Sequence, residues 1–200
     1  RPLNFKLAPN DSLLLVKSYL DDCKETTDYK YTFYNPFTKT GLPDTIKVGD
    51  KSLKLNGMGL RTQTLFNVKV YVLSLYLENL SKDAAQVISS EQVKRAQLNF
   101  LRDVDHAKVN DTITKGFEKN AKDQMAALKP RLDKLLSLIP DLKERDQLQI
   151  TYLPGRGTAV SLNGLEKGVI EGKDFASVLF SVWLGRDPVD EGLKTALLGG

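Results

Sequence analysis

Cysteine and histidine are almost missing from this chain. Its 200 residues hold one of each, Cys23 and His106. One thiol cannot close an internal disulfide, and zinc sites need several thiolates or imidazoles, so both are excluded. A nucleophilic triad built on histidine would depend on His106 alone. No apolar run approaches the roughly 18–20 residues of a membrane-spanning helix, so no integral membrane segment is read in this stretch. GxxxxGK[ST] and GxSxG are absent, and Gly57-Met58-Gly59 has no strand–GxGxxG–helix unit around it. P-loop nucleotide hydrolysis, the serine-hydrolase elbow and dinucleotide binding therefore have no footing. The net charge of +4 is spread without a basic stripe or a nucleic-acid motif, which argues against nucleic acid as a partner.

What remains is an ordinary globular composition, 41% hydrophobic and 27% charged. A chain of this length buries about 70% of its unfolded surface without covalent staples. It begins with Arg1 and reads as a fragment whose native start, with any targeting segment, has been removed.

Two regions differ in texture. Residues 1–41 read as an N-terminal appendage. Asn10 and Asp11 can cap a helix carrying Leu13, Val16, Leu20 and Cys23, and a polar, aromatic arm follows, with an edge strand over 29–33. Residues 42–200 read as the main domain. Thr45–Val48 and Ser52–Leu55 flank the turn Gly49-Asp50-Lys51, and Leu60–Phe66 reads as a separate strand. Asn67–Leu77 is a central strand with Tyr71, Leu73, Leu75 and Leu77 on one face. A short helix over Lys82–Ser89 and a strand over Val93–Leu101 come next. Val109, Ile113, Phe117 and Asn120 then mark one helix, and Met125 to Ile139 another, with Pro130 a candidate kink or break. Strands Gln147–Leu153, Thr158–Leu162 and Lys167–Ile170 precede a strongly amphipathic helix through Phe175, Val178, Leu179, Val182 and Trp183. A short helix over Val189–Leu198 ends the chain. Strands in runs and helices in runs predict an α+β fold, an antiparallel sheet with helices packed on one face.

Three polar residues stand out. Arg61 sits inside a strand, where an arginine either faces water from an edge or meets an anion. Tyr71 lies among apolar neighbours, so its hydroxyl needs a partner. Asn120 lies on the apolar face of its helix, as a C-cap or as a pocket-lining amide. Pro154-Gly155-Arg156-Gly157 joins two strands and reads as a hairpin turn.

The blocks Leu55-Asn56-Gly57-Met58-Gly59-Leu60-Arg61-Thr62 and Val68-Lys69-Val70-Tyr71-Val72-Leu73-Ser74-Leu75-Tyr76-Leu77 resemble the chalcone isomerase-like family, non-plant branch. Phe100-Leu101-Arg102-Asp103-Val104, the Pro154 turn and Trp183-Leu184-Gly185 continue the likeness in order over about residues 42–199. The resemblance implies an open-faced β-sandwich with a ligand cleft between a large sheet and its helices. The family includes plant enzymes that cyclise chalcones, plastid fatty-acid-binding proteins, and bacterial and fungal relatives. Matched by motif, Arg61 and Asn120 fall on two polar residues of the enzyme's cleft and would be the catalytic pair if activity survives. Tyr71 stands where the enzyme has threonine, Ile113 where it has tyrosine, and Ser181 or Val182 where it has a late hydroxyl. That loss favours non-enzymatic binding of a fatty-acid-like carboxylate, as does the Arg-plus-Tyr pairing of the fatty-acid-binding branch. The implied ligand-binding set is Arg61, Tyr71, Asn120, Ile113, Phe117 and Val182, with Leu73 beside the tail. The resemblance also implies two alternatives, an intramolecular lyase and a heme-binding mitochondrial protein with His106 as axial ligand. Of compartments it implies the mitochondrion, if the chain is of the fungal type, or else a bacterial periplasm. On the binding reading, the unliganded fold is expected to be indifferent to Arg61→Ala and Tyr71→Phe.

Overall fold

The computed structural model describes residues 33–34, 41–63 and 68–200. The helix expected after Asn10 and the strand expected over 29–33 lie outside the described residues, apart from Phe33. The chain divides into two compact units, Arg1–Asp44 and Thr45–Gly200. In the first, β1 (Phe33–Tyr34) pairs antiparallel with β2 (Gly41–Leu42).

The second unit is a seven-stranded antiparallel sheet whose strand order follows the chain, β3 (Thr45–Val48), β4 (Lys51–Gln63), β5 (Val68–Leu77), β6 (Lys94–Phe100), β7 (Gln147–Leu153), β8 (Gly157–Leu162) and β9 (Leu165–Ile170). Five helices accompany the strands among the described residues: α1 (Ala84–Ser89), α2 (His106–Asn120), α3 (Met125–Ser137), α4 (Lys173–Leu184) and α5 (Glu191–Leu197). This is the expected α+β architecture. No helix among the described residues is long and apolar enough to cross a membrane.

Period-two alternation gives the sheet two unlike faces. One carries Tyr71, Leu73, Leu75 and Leu77 of β5, Ala96, Leu98 and Phe100 of β6, and Leu148 and Ile150 of β7. These pack with Phe117, Phe175, Leu179, Val182 and Trp183 into one buried core. The other carries a polar ladder. Arg95 donates to Thr151 Oγ1 at 2.8 Å, Gln147 Nε2 to Asn99 Oδ1 at 3.0 Å, and Gln149 Nε2 to Gln97 Oε1 at 3.2 Å.

Two expectations need correction. The first is a break between Leu55 and Leu60: β4 runs unbroken from Lys51 to Gln63. Asn56-Gly57-Met58-Gly59 has the composition of a turn, but the glycines answer a packing demand. A Cβ on Gly57 would lie 2.2 Å from the Ala196 carbonyl oxygen, and one on Gly59 would lie 2.7 Å from Leu193 Cδ1. The bare strand lets α5 lie directly on the sheet. A bulge falls between Leu55 and Gly57. The intervening Asn56 donates to Leu197 O at 2.8 Å and so closes the end of α5. The second is smaller: of the kink and the break open at Pro130, the break does not occur, and Pro130 sits inside α3 as the single helix expected there.

Lys94 is buried on the helix side of β6. Its ammonium donates to the carbonyls of Val87, Ile88 and Ser90 at 2.7, 2.8 and 3.2 Å, closing the C-terminal end of α1. Burial lowers its pKa to about 8.

Candidate functional site

Arg61 and Tyr71 are directly opposed across the β4–β5 ladder. Opposed residues of an antiparallel pair share a face. Here that face is the helix side, because Gly57 and Gly59 precede Arg61 on it and receive α5. The Arg61 side chain is 19% exposed, so the alternative of an edge arginine facing water does not hold.

Neither side chain takes the other as its hydrogen-bond partner. Arg61 Nη1 donates to Asp190 Oδ2 at 3.1 Å, and also to the Thr62 carbonyl. Tyr71 Oη accepts from Trp183 Nε1 at 3.1 Å, linking β5 to α4. The Tyr71 ring meets Phe100 edge-on at 5.5 Å. Burial pushes the Tyr71 phenol up to about 12, with the Trp183 hydrogen bond and the nearby Arg61 charge opposing the shift. The hydroxyl is thus a neutral group at any ordinary pH.

Asp190 holds two partners at once. Oδ2 faces Arg61, and Oδ1 accepts from Leu193 N at 2.9 Å as the N-cap of α5. Sequence reasoning passed over Asp190. Its signal was there, an aspartate just before a short helix, together with the need of Arg61 for an anion.

The other candidate residues are placed as follows. Ile113 and Phe117 are buried on α2, and Phe117 packs on Phe175 with ring centroids 5.3 Å apart. Val182 is buried on α4 over Gly116, where a Cβ would come within 2.8 Å of it. Leu73, Phe117 and Val182 belong to the same close-packed core as Tyr71. Asn120 ends α2 and joins it to the segment after α4. Its amide donates to Gly116 O at 2.9 Å and Asp187 O at 3.1 Å, and its oxygen accepts from Asp187 N at 3.3 Å. Asn120 is thus engaged at the end of α2, next to the C-cap residue Ala121, with its amide spent on backbone groups. The Ser181 hydroxyl turns back to Val178 O at 2.6 Å.

His106 opens α2, about 21 Å along the helix from Asn120 at 1.5 Å per residue. It is 58% exposed and its Nδ1 lies 3.1 Å from Asp141 Oδ1. The nearby Asp105, Lys108, Asp141 and Lys143 are exposed charges. Such a surface does not fit the apolar crevice that a heme ligand needs.

A cavity of about 530 Å³ opens beside the β7–β8 turn and the start of α4, lined by Tyr152, Gly157 and Lys173 among others. Tyr152 lies opposite Lys94, which lies opposite Leu77, six residues along β5 from Tyr71. Along the strand direction alone that is about 20 Å from the Arg61 site at 3.4 Å per residue. On the cavity's rim Glu91 is bound to both Lys173 and Tyr152.

The family profile described as chalcone isomerase-like matches residues 36–199. The chain belongs to the chalcone isomerase-like family. Among solved structures it is similar to an Arabidopsis thaliana fatty-acid binding protein. The two are 17% identical, with a TM-score of 0.65, over 82% of this chain and 94% of that one. At that identity the likeness shows a shared fold, in agreement with the sheet-and-helix layers above. No curated protein matches the chain. In this chain Arg61 and Tyr71 occupy the helix side of the large sheet, while Ile113 brings a buried apolar side chain to α2.

Proposed function

We propose that this chain is a non-enzymatic binding protein for a small amphipathic carboxylate of the fatty-acid kind. The carboxylate head sits on Arg61 beside Tyr71. The observation that carries the reading is Arg61 itself: a guanidinium on the helix side of the sheet, mostly buried, and already engaged by a carboxylate at 3.1 Å. A ligand head group would use the same charge-assisted contact. The Arabidopsis thaliana protein of the same fold is a fatty-acid binding protein, which supports the same ligand class.

Leu73, Phe117 and Val182, the residues expected beside the tail, belong to one buried, close-packed core. The tail therefore enters by parting helix from sheet. The natural seam is α5, which rests on the glycines of β4 and is short. Isomerase chemistry would need several donors around the reacting ketone and the developing enolate. Here Asn120 is spent on Gly116 and Asp187, and Ile113 offers no hydroxyl.

The test is a calorimetric titration of laurate into the parent and into Arg61→Ala, with Trp183, the sole tryptophan, as a fluorescent reporter. Hydrogen bonds to charged groups contribute about 1.5–3 kcal/mol, so the Kd should rise about ten- to a hundredfold. Equal affinity in the two proteins would overturn the assignment of the head group to Arg61.

A further inference from the structure

We propose that Asp190 is a built-in competitor for the Arg61 site, so that an anionic head group binds by displacing the Asp190 carboxylate and loosening α5. The inference rests on the binding reading above and goes beyond it to the control of the site.

One carboxylate serves both ends of the coupling. Its Oδ2 lies 3.1 Å from Arg61 Nη1, and its Oδ1 accepts from Leu193 N at 2.9 Å. Arg61 is held in a mostly buried position, with Asp190 as its one carboxylate partner among the described residues. An incoming carboxylate and Asp190 want the same guanidinium, and two carboxylates crowded on one guanidinium repel. When Asp190 leaves, the N-cap geometry of α5 is disturbed, and a cap is a large part of what holds a seven-residue helix.

The placement of α5 turns that local exchange into an opening. Leu193 lies over Gly59, two residues from Arg61 on the same strand, and the Ala196 carbonyl lies over Gly57. Leu193 and Leu197 are buried there. The helix that the cap secures is thus the one covering the sheet next to the head-group site. Neutral head groups, such as alcohols, do not compete for the guanidinium charge and gain nothing from the exchange. Asp190 therefore sets the affinity for anionic ligands.

The experiment compares laurate with dodecanol in the parent, Asp190→Asn, Asp190→Ser and Arg61→Ala, together with the Arg61→Ala/Asp190→Asn double variant. Asparagine and serine keep a capping oxygen and lose the charge. Two caps of different size guard against a folding artefact in either one. Laurate should bind both single Asp190 variants about tenfold tighter than the parent, a change of about 1.4 kcal/mol. Dodecanol should bind them as it binds the parent, and Asp190→Asn should have no effect once Arg61 is alanine. Unchanged laurate affinity in the Asp190 variants overturns the inference, and a loss in Arg61→Ala within the same series leaves the binding reading standing. Equal tightening for laurate and dodecanol also overturns it, because that marks a loosened helix rather than a removed competitor. If Arg61→Ala binds laurate like the parent, the head-group reading fails and the competitor inference falls with it.

Discussion

Tyr71→Phe is the most informative single change for the unliganded fold. Tyr71 Oη accepts the Trp183 indole N–H at 3.1 Å, and both side chains are buried. Phenylalanine keeps the ring and its contact with Phe100 and removes only the acceptor. The indole N–H is then left unpaired in the core, at a cost of about 1–3 kcal/mol. For a domain of this size, 1 kcal/mol moves Tm by roughly 2–4 °C. The expected indifference of the unliganded fold to this change does not survive the Trp183 contact. Trp183→Phe strands the Tyr71 hydroxyl in the same way. The double variant removes both polar groups, so its loss should fall short of the two single losses by about 1–2 kcal/mol. Urea titrations followed by far-ultraviolet circular dichroism measure all three. The pH axis gives a second readout. The folded Tyr71 pKa is about 12, raised from 10. The unfolded chain therefore loses that proton first as pH rises. Stability from this group is complete below pH 10 and drains away as pH rises from 10 towards 12. Tyr71→Phe should flatten that decline. A Tyr71→Phe protein as stable as the parent, with additive single losses and an unchanged alkaline limb, would refute the hydrogen bond between sheet and helix.

Gly57→Ala puts a Cβ 2.2 Å from a backbone oxygen of α5, so stability should fall by at least the 1–3 kcal/mol typical of overpacking, with faster hydrogen exchange over 191–197. Asn120→Ala should lower the unfolding free energy read from urea titration by about 1–2 kcal/mol and leave laurate affinity untouched; a large affinity change would restore it as a lining residue. Lys94→Met leaves three carbonyls at the end of α1 without their donor, and thermal melts should record a loss of about 1–3 kcal/mol. Chalcone incubated with the protein should cyclise without a stereoselective kcat above roughly 1 s⁻¹.

The legible parts of this fold were those written in local periodicity. The β7 strand and α4 lie where alternation and the Phe175–Trp183 spacing put them, although α4 is buried nearly all round rather than on one face alone. The unbroken β4 was not legible. Glycine in a strand reads as a turn until a helix from the far end of the chain is known to lie on it. The site divides in the same way. Arg61 and Tyr71 were found because a charge and a hydroxyl among apolar neighbours each demand a partner. The partners themselves, Asp190 and Trp183, come from elements more than a hundred residues later, and no local pattern pairs them. Asn120 was left between two roles because the Asp187 backbone it holds is likewise distant in sequence.

The strand order of the large sheet has a consequence for how the protein forms. Each strand pairs with its neighbour in sequence, so the sheet can zip up by successive short closures, each entropically cheap. The seating of α5 is the opposite case. Its carbonyl at Leu197 is held by Asn56, 141 residues earlier. During synthesis the sheet and α1 to α4 can assemble before the last helix is free to dock. The glycine stretch of β4 therefore stays uncovered until α5 has been made. Late docking and short length place α5 among the elements that open first in the finished protein, and native-state exchange should rank it as the least protected helix of the sheet unit.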